Sequence, residues 1–390
     1  MARAHSVRST SFITTIKCFD ILGGNMSNDH FLARDLQREL RALVNSALTF
    51  SDIHIEQDQP LMLKTPRGWQ RAHDTPVSMA QMAPVLTAID QDWEDKIIDG
   101  ALDCPFTLGE WRLRCNIFRM GRGSKVALSI RRFPLAPLAL EAIGLPSYVK
   151  TVLEATKGII LVAGPTGAGK STTIASMLDH INSTRHGHII TIEEPIEYQL
   201  QRKMSMISQK EVPTDTSSFA SGLREALRQK PDVLMVGEIR DFDTADTVLH
   251  AGESGHLVLA TLHTSSAARA ITKLLSFFPQ DQRSQRASTL AENLVGVVFQ
   301  SLMPSEDGQH YVMASEMVFN NNQQIAPFII DPAKLPLIND FMKRKEDNMS
   351  RSLNDVLLQL VLKKSVSARD ALRVAYNRFE LHEMLNSAKR

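Results

Sequence analysis

The strongest chemical signal in the chain is Gly164-Pro165-Thr166-Gly167-Ala168-Gly169-Lys170-Ser171, followed by Thr172. It fits G-x-x-x-x-G-K-[ST], a loop that wraps phosphate. Its glycines let the backbone curl until successive N–H groups face an anion. A helix starting at the loop adds partial positive charge from its N-terminus. Lys170 has the reach for β- and γ-phosphates, and the Ser171 hydroxyl suits Mg²⁺. A second signal is Val233-Leu234-Met235-Val236-Gly237-Glu238, an apolar run that ends on an acid. Open α/β folds bind ligands at such strand ends. Glu238 there can hold Mg²⁺ through water or orient an attacking water. A third, Thr191-Ile192-Glu193-Glu194-Pro195-Ile196-Glu197-Tyr198, sets three acids after another apolar run. Acids beside a phosphate site repel it unless a cation or a proton transfer is involved. One of the three is therefore a candidate general base for water; the plainer alternative is a solvated acidic turn. Lastly, His263 follows the apolar run at 257–260, as either a structural histidine or a γ-phosphate sensor.

These groups need a scaffold that brings strand ends together. Apolar segments at 159–163, 188–192, 233–236 and 257–260 alternate with helical patterns. Such alternation predicts a parallel sheet covered by helices on both faces. Ile174, Met177, Leu178 and Ile181 mark one face of the helix after the loop. Beyond about residue 280 the pattern reads as mainly helical. Leu353, Val356, Leu357, Leu360 and Val361 share one face, and 369–385 is helical too. Toward the N-terminus, Leu32, Leu36, Leu40, Leu43 and Val44 recur every three to four residues, a helix within 31–50. Ile53 and Ile55 alternate with polar neighbours, as in a strand. Short strands are expected near 61–64, 111–119 and 125–130, with helix between. This is a small α+β domain, 27–133. The two prolines of Phe133-Pro134-Leu135-Ala136-Pro137 suggest a linker at 134–141. The α/β domain then spans 142–390, its last part, about 330–390, helical. Residues 1–26 read as a flexible extension, or as an upstream start with Met26 the true one.

Composition narrows the class. Of 390 residues, 43% are hydrophobic and 22% charged, which excludes disordered, collagen-like and coiled-coil chains. A net charge of +1 argues against a protein built to coat nucleic acid. Cys18, Cys104 and Cys115 form no Cys-x-x-Cys pair, against a disulfide framework or four-cysteine zinc site and for a reducing cytoplasm. No apolar run approaches the roughly 18 residues that span a bilayer.

Together the loop GPTGAGKST, the acidic box TIEEPIEY, the Walker B run VLMVGEIRD and the histidine box TLHT resemble the secretion ATPases. Within them the chain looks most like the pilus retraction ATPases (PilT-like) of type IV pili, whose relatives drive type IVB secretion and conjugation. The resemblance covers roughly residues 31–385 and includes SDIHI at 51–55 and AGESGH at 251–256. It implies a RecA-like P-loop ATPase domain with a parallel-rich sheet, a PAS-like N-terminal domain and C-terminal helices. It also implies a homohexameric ring with ATP and Mg²⁺ bound between the domains. By motif match Glu197 is the base, Glu238 the Walker B glutamate and His263 the histidine-box residue. Arg112, Arg114 and Arg131 match arginines that reach nucleotide phosphates. The expected protein is a cytoplasmic motor, held peripherally to the inner membrane by a protein partner and free of direct nucleic-acid contact. Two departures stand out. Ala333-Lys334-Leu335-Pro336-Leu337-Ile338-Asn339-Asp340 occupies the place of a family helix linked to retraction, and Pro336 disfavours a helix interior. The acidic box reads Glu193-Glu194 rather than Glu-Asp. An alternative from another class is a nucleic-acid translocase on the same core, but that needs basic and aromatic groups along a channel. The chain is charge-balanced and only 6% aromatic. A third reading is a nucleotide-dependent scaffold with little turnover.

Overall fold

The computed structural model describes residues 35–388 except 321, 322 and 346. The extension 1–26, Cys18 and Leu32 lie outside the described residues. The chain divides into two units, one ending at Phe106 and resuming over Leu113–Arg131, the other made of Thr107–Arg112 and Arg132 onward.

The first unit opens with α1 (Leu36–Val44), started by the Asp35 carboxylate, which accepts from the Arg38 N–H. Leu36, Leu40, Leu43 and Val44 form its buried stripe. There follow β1 (Asp52–Glu56), β2 (Gln59–Thr65), β3 (Gly68–Val77), α2 (Met79–Ile89), α3 (Trp93–Lys96), β4 (Ala101–Leu108), β5 (Trp111–Met120) and β6 (Lys125–Pro134). They make a six-stranded sheet in the order β3-β2-β1-β6-β5-β4, with β1 antiparallel to both neighbours. Ile53 and Ile55 are fully buried while the residues flanking them are half-exposed, the alternation of a sheet with one wet face. The segment expected to be helix between the strands holds α2 and α3 but also β3 and β4. These are the two edge strands, where Pro76 and Pro105 are tolerated because one side needs no N–H donor.

The second unit runs α4 (Val149–Val152), β7 (Gly158–Ala163), α5 (Lys170–Thr184), β8 (His188–Glu193), β9 (Met206–Glu211), α6 (Phe219–Ala226), β10 (Val233–Val236), α7 (Phe242–Glu253), β11 (Leu257–Leu262), α8 (Ala267–Ser276), α9 (Arg283–Asn293), β12 (Leu294–Pro304) and β13 (Tyr311–Phe319). Its seven strands lie in the order β13-β12-β7-β11-β10-β8-β9, and all neighbours are parallel except β12 and β13. The expected strands are β7, β8, β10 and β11. Both faces are packed: Ile159, Leu161 and Ala163 of β7 enter one core, Ile160 and Val162 the other. That is why these strands read as unbroken apolar runs.

The expectation of mainly helix after residue 280 needs correction. β12 and β13 form an antiparallel pair there. Most of Leu294 to Met303 is buried on both faces, so the sequence shows no alternation to separate strand from helix. After β13 come α10 (Ala326–Ile330), α11 (Leu337–Arg344), α12 (Leu353–Leu362), α13 (Ala368–Val374) and α14 (Arg378–Ser387). Pro336 stands immediately before α11 with φ −58°, so its fixed φ starts that helix rather than breaking it.

One close approach locks α7 onto β7. A Cβ at Gly252 would lie 2.7 Å from Ile159 Cγ1. Gly252→Val should therefore lower stability by ~1–3 kcal/mol through overpacking, read as a fall in Tm. An unchanged Tm would show that the contact carries no constraint.

Candidate nucleotide site

The phosphate loop spans the turn between β7 and α5. Gly164, Gly167 and Gly169 have φ of 156°, 78° and 82°, backbone that side-chain-bearing residues rarely adopt. Gly164 is constrained twice, since a Cβ there would sit 2.4 Å from the Gln300 carbonyl oxygen. Gly169 caps α5, so Lys170, Ser171 and Thr172 form the first helical turn. β12 floors the loop. Gln300, 1% exposed, donates from Nε2 to the Ala168 carbonyl at 2.6 Å. Lys170 is 8% exposed and donates to the carbonyls of Gly164 (3.0 Å) and Pro165 (3.1 Å). The Thr172 hydroxyl is 2.8 Å from that of Tyr198.

Charged groups converge on this loop from the neighbouring strand ends. His263, just past β11, brings Nδ1 to 3.4 Å from Lys170 Nζ and 3.5 Å from Thr166 Oγ1. Its Nε2 is 3.5 Å from Glu238 Oε1, just past β10. Nδ1 facing an ammonium and Nε2 facing a carboxylate fit a neutral ring protonated on Nε2. Burial and the Lys170 charge hold the His263 pKa below its ordinary value, against the pull of Glu238. Burial also lowers the Lys170 pKa, opposed by the charges of Glu238 and Glu197. Glu238 accepts at Oε2 from Arg240 Nε (2.7 Å), and Arg240 Nη1 reaches Glu194 Oε2 at 2.5 Å.

The three acids of the box have separate environments. Glu193 ends β8 and is 8% exposed. Its Oε1 accepts from Thr191 Oγ1 (2.7 Å) and Gln209 Nε2 (3.0 Å), and a bond from the Glu197 backbone also favours its charged form. Burial outweighs these bonds and pushes its pKa up to about 7. Glu194 is exposed and paired with Arg240. Glu197 is half-buried, with no hydrogen-bond partner for its carboxylate among the described residues.

The candidate arginines have other company. In the first unit Arg114 binds Asp103, its Nε at 3.0 and 3.1 Å from the two oxygens, and Arg131 Nε binds Asp52 Oδ1 at 2.8 Å. Arg112 is half-buried on β5, in the short segment counted with the second unit. For Mg²⁺, no group of three or more His, Cys, Asp or Glu side chains among the described residues could hold a metal. The Ser171 hydroxyl and the Glu238 carboxylate fit a cation held mainly by phosphate oxygens and water, the usual manner of Mg²⁺. Gln300, Arg240 and Gln209 escaped the sequence reading. Only Arg240 carried a signal, because residues two apart in extended chain share a side, and it follows Glu238 by two.

The type II/IV secretion system proteins match residues 31–324 of this chain. A twitching motility protein of Neisseria gonorrhoeae is 35% identical over 319 residues, 81% of this chain and 84% of its own length. The type IV pilus retraction ATPase PilT of Pseudomonas aeruginosa is 38% identical over 261 residues, 66% of this chain and 75% of its own. A crystal structure of the pilus retraction motor PilT with bound ADP superposes with a TM-score of 0.73 at 35% identity, covering 88% of this chain and 99% of that one.

The buried Glu193 carboxyl makes a pH prediction. A group whose pKa is raised by folding contributes stability below its unfolded value of 4.5, and loses it as pH rises through about 7. Tm should thus decline between about pH 4.5 and about pH 7 and level off above that. Glu193→Gln keeps an acceptor for Thr191 and Gln209 and should flatten that decline. Equal slopes for the two proteins would contradict the assignment.

Proposed function

The chain belongs to the type II/IV secretion system protein family, and on that premise we propose that it hydrolyses ATP to drive a type IV pilus, secretion or conjugation machine. Its fold class is that of these ATPases: a RecA-like α/β unit with a parallel-rich sheet, preceded by a small α+β unit and followed by helices. The observation that carries the reading is the convergence of Lys170, His263 and Glu238 on one phosphate loop.

In this reading each residue has one task. Lys170 exchanges the Gly164 and Pro165 carbonyls for β- and γ-phosphate oxygens, a charge-assisted bond replacing two neutral acceptors. The N–H groups of the loop and of the first turn of α5 hold the remaining phosphate oxygens. Ser171 and Glu238 hold Mg²⁺, which when bound neutralises charge on the β- and γ-phosphates. Glu197, with neither the Arg240 pairing of Glu194 nor the burial of Glu193, takes the proton of the attacking water. His263, neutral at Nδ1, reads the γ-phosphate through Thr166 and Lys170. Arg112, Arg114 and Arg131 supply guanidinium forks to phosphate, Arg114 and Arg131 by leaving Asp103 and Asp52.

The reading extends to a homohexamer in which turnover drives motion between the two units. Support comes from relatives named as a pilus motor and a twitching motility protein. No helix among the described residues is long and apolar enough to cross a membrane. By its likeness to the pilus retraction ATPase PilT, the motor is read as cytoplasmic, docked on an inner-membrane protein.

Lys170→Ala should abolish phosphate release from ATP while leaving the circular dichroism spectrum unchanged. Near wild-type turnover in that variant would overturn the reading. In host cells with normal protein level, Glu238→Ala should raise the number of surface pili, as expected of a motor that pulls them in. Unchanged or reduced piliation would move the assignment to secretion, conjugation or assembly.

A further inference from the structure

The acidic box is held from outside by the sheet's last strand. Among the described residues β9 pairs only with β8, residue for residue from His188 opposite Met206 to Glu193 opposite Glu211. Gln209 and Glu211, two apart on β9, bond to the loop that leaves β8. Gln209 uses its whole amide. Nε2 donates to Glu193 Oε1 (3.0 Å) and to the Tyr198 carbonyl (2.9 Å), and Oε1 accepts from the Leu200 N–H (2.8 Å). Glu211 Oε2 accepts from the Ile196 N–H at 3.0 Å. Glu193 in turn receives the bond from the Glu197 backbone. Residues 193, 198 and 200 are thus tied to one side chain, with Glu197 between them.

We propose that Gln209 is the positioning residue of the acidic box, holding the backbone after Glu197 directly and that of Glu197 through the Glu193 carboxylate, so that the Glu197 carboxylate meets the attacking water in one orientation. Resting on the assignment of Glu197 as base, this predicts a particular kinetic signature. Gln209 makes no bond to the phosphate loop among the described residues, so nucleotide binding should survive its loss while the chemical step does not. Gln209 is half-buried, but its three bonds meet on one loop, and bonds so coupled can be worth more than their sum. A small misplacement of a reacting group can cost about 100-fold in rate.

The test compares wild type, Glu197→Gln, Gln209→Met and Gln209→Glu by steady-state ATP hydrolysis and by Tm. Gln209→Met keeps the bulk of the side chain and removes its three bonds. It should lower kcat by about 10- to 100-fold with KM for ATP within about 2-fold of wild type. Gln209→Glu faces Glu193 with a second carboxyl. Two adjacent carboxyls share a proton more readily as pH falls. Its kcat relative to wild type should therefore rise as pH is lowered from about 8 to about 6. This second variant keeps the test sharp should Gln209→Met fold poorly. A Gln209→Met kcat within about 2-fold of wild type overturns the proposal, as does a KM rising in step with the loss of kcat. A pH-independent ratio for Gln209→Glu overturns it too. If Glu197→Gln is inactive while Gln209→Met is fully active, only the positioning role falls. A wild-type protein that hydrolyses no ATP, or a fully active Glu197→Gln, overturns the base assignment and this role with it.

Discussion

Hydrogen bonding between β7 and β11 runs in unbroken parallel register from Gly158 opposite Leu257 to Ala163 opposite Leu262. β10 continues it, with Val236 opposite Ala260 on one side and Ile192 on the other. Parallel strands in one register must end on the same side of the sheet. Gly164 and His263, just past β7 and β11, Gly237 with Glu238, just past β10, and Glu193, the last residue of β8, are thereby delivered to one edge. Short backbone bonds keep the turns there: Gly164 N–H to the Leu262 carbonyl (3.2 Å), Gly237 N–H to Ile192 (2.8 Å) and Ile239 N–H to Thr261 (3.0 Å). The site is a consequence of this pairing, and the helices on either face serve to bury the strands that make it.

Along that edge the polar groups form one chain. Lys170 faces His263, His263 faces Glu238, Glu238 faces Arg240, and Arg240 faces Glu194. Each group has a polar partner, so the site holds the Lys170 cation ready for an anion without leaving its buried ammonium unbonded. An arriving phosphate competes for Lys170 with backbone carbonyls rather than with a carboxylate, the weaker rival of the two. Arg240 links the acid at the end of β10 to the acidic box, so those two acids share one guanidinium.

What the sequence disclosed depended on whether a residue's task is local. Glu238 and His263 sit one or two residues beyond apolar strands, and Lys170 closes a loop pattern that begins one residue after β7, so each signal lies within a single short segment. β7, β8, β10 and β11 were legible because turn residues bound their apolar runs. β12 was hidden because burial on both faces erases periodicity, and β3 because its residues are mostly exposed and only pairing with β2 makes it a strand. Gln300 was invisible for a different reason. It meets Ala168 across 132 residues, a contact that no spacing in the chain encodes. Pro336 was read for what it forbids, yet its place before α11 uses what it favours.

The two halves of the site sit at different depths in the sheet. The phosphate loop springs from β7, which has strands on both sides, and is floored by Gln300 of β12. The acidic box depends on β9, an edge strand with one neighbour and half-exposed residues. Edges open before centres, because fewer contacts must be broken to free them. Amide protons of β9 and the acidic box should then exchange with solvent through local opening, while those of β7 wait for unfolding of the whole unit. Under mild denaturation the molecule would pass through a range in which it still holds nucleotide and no longer turns it over.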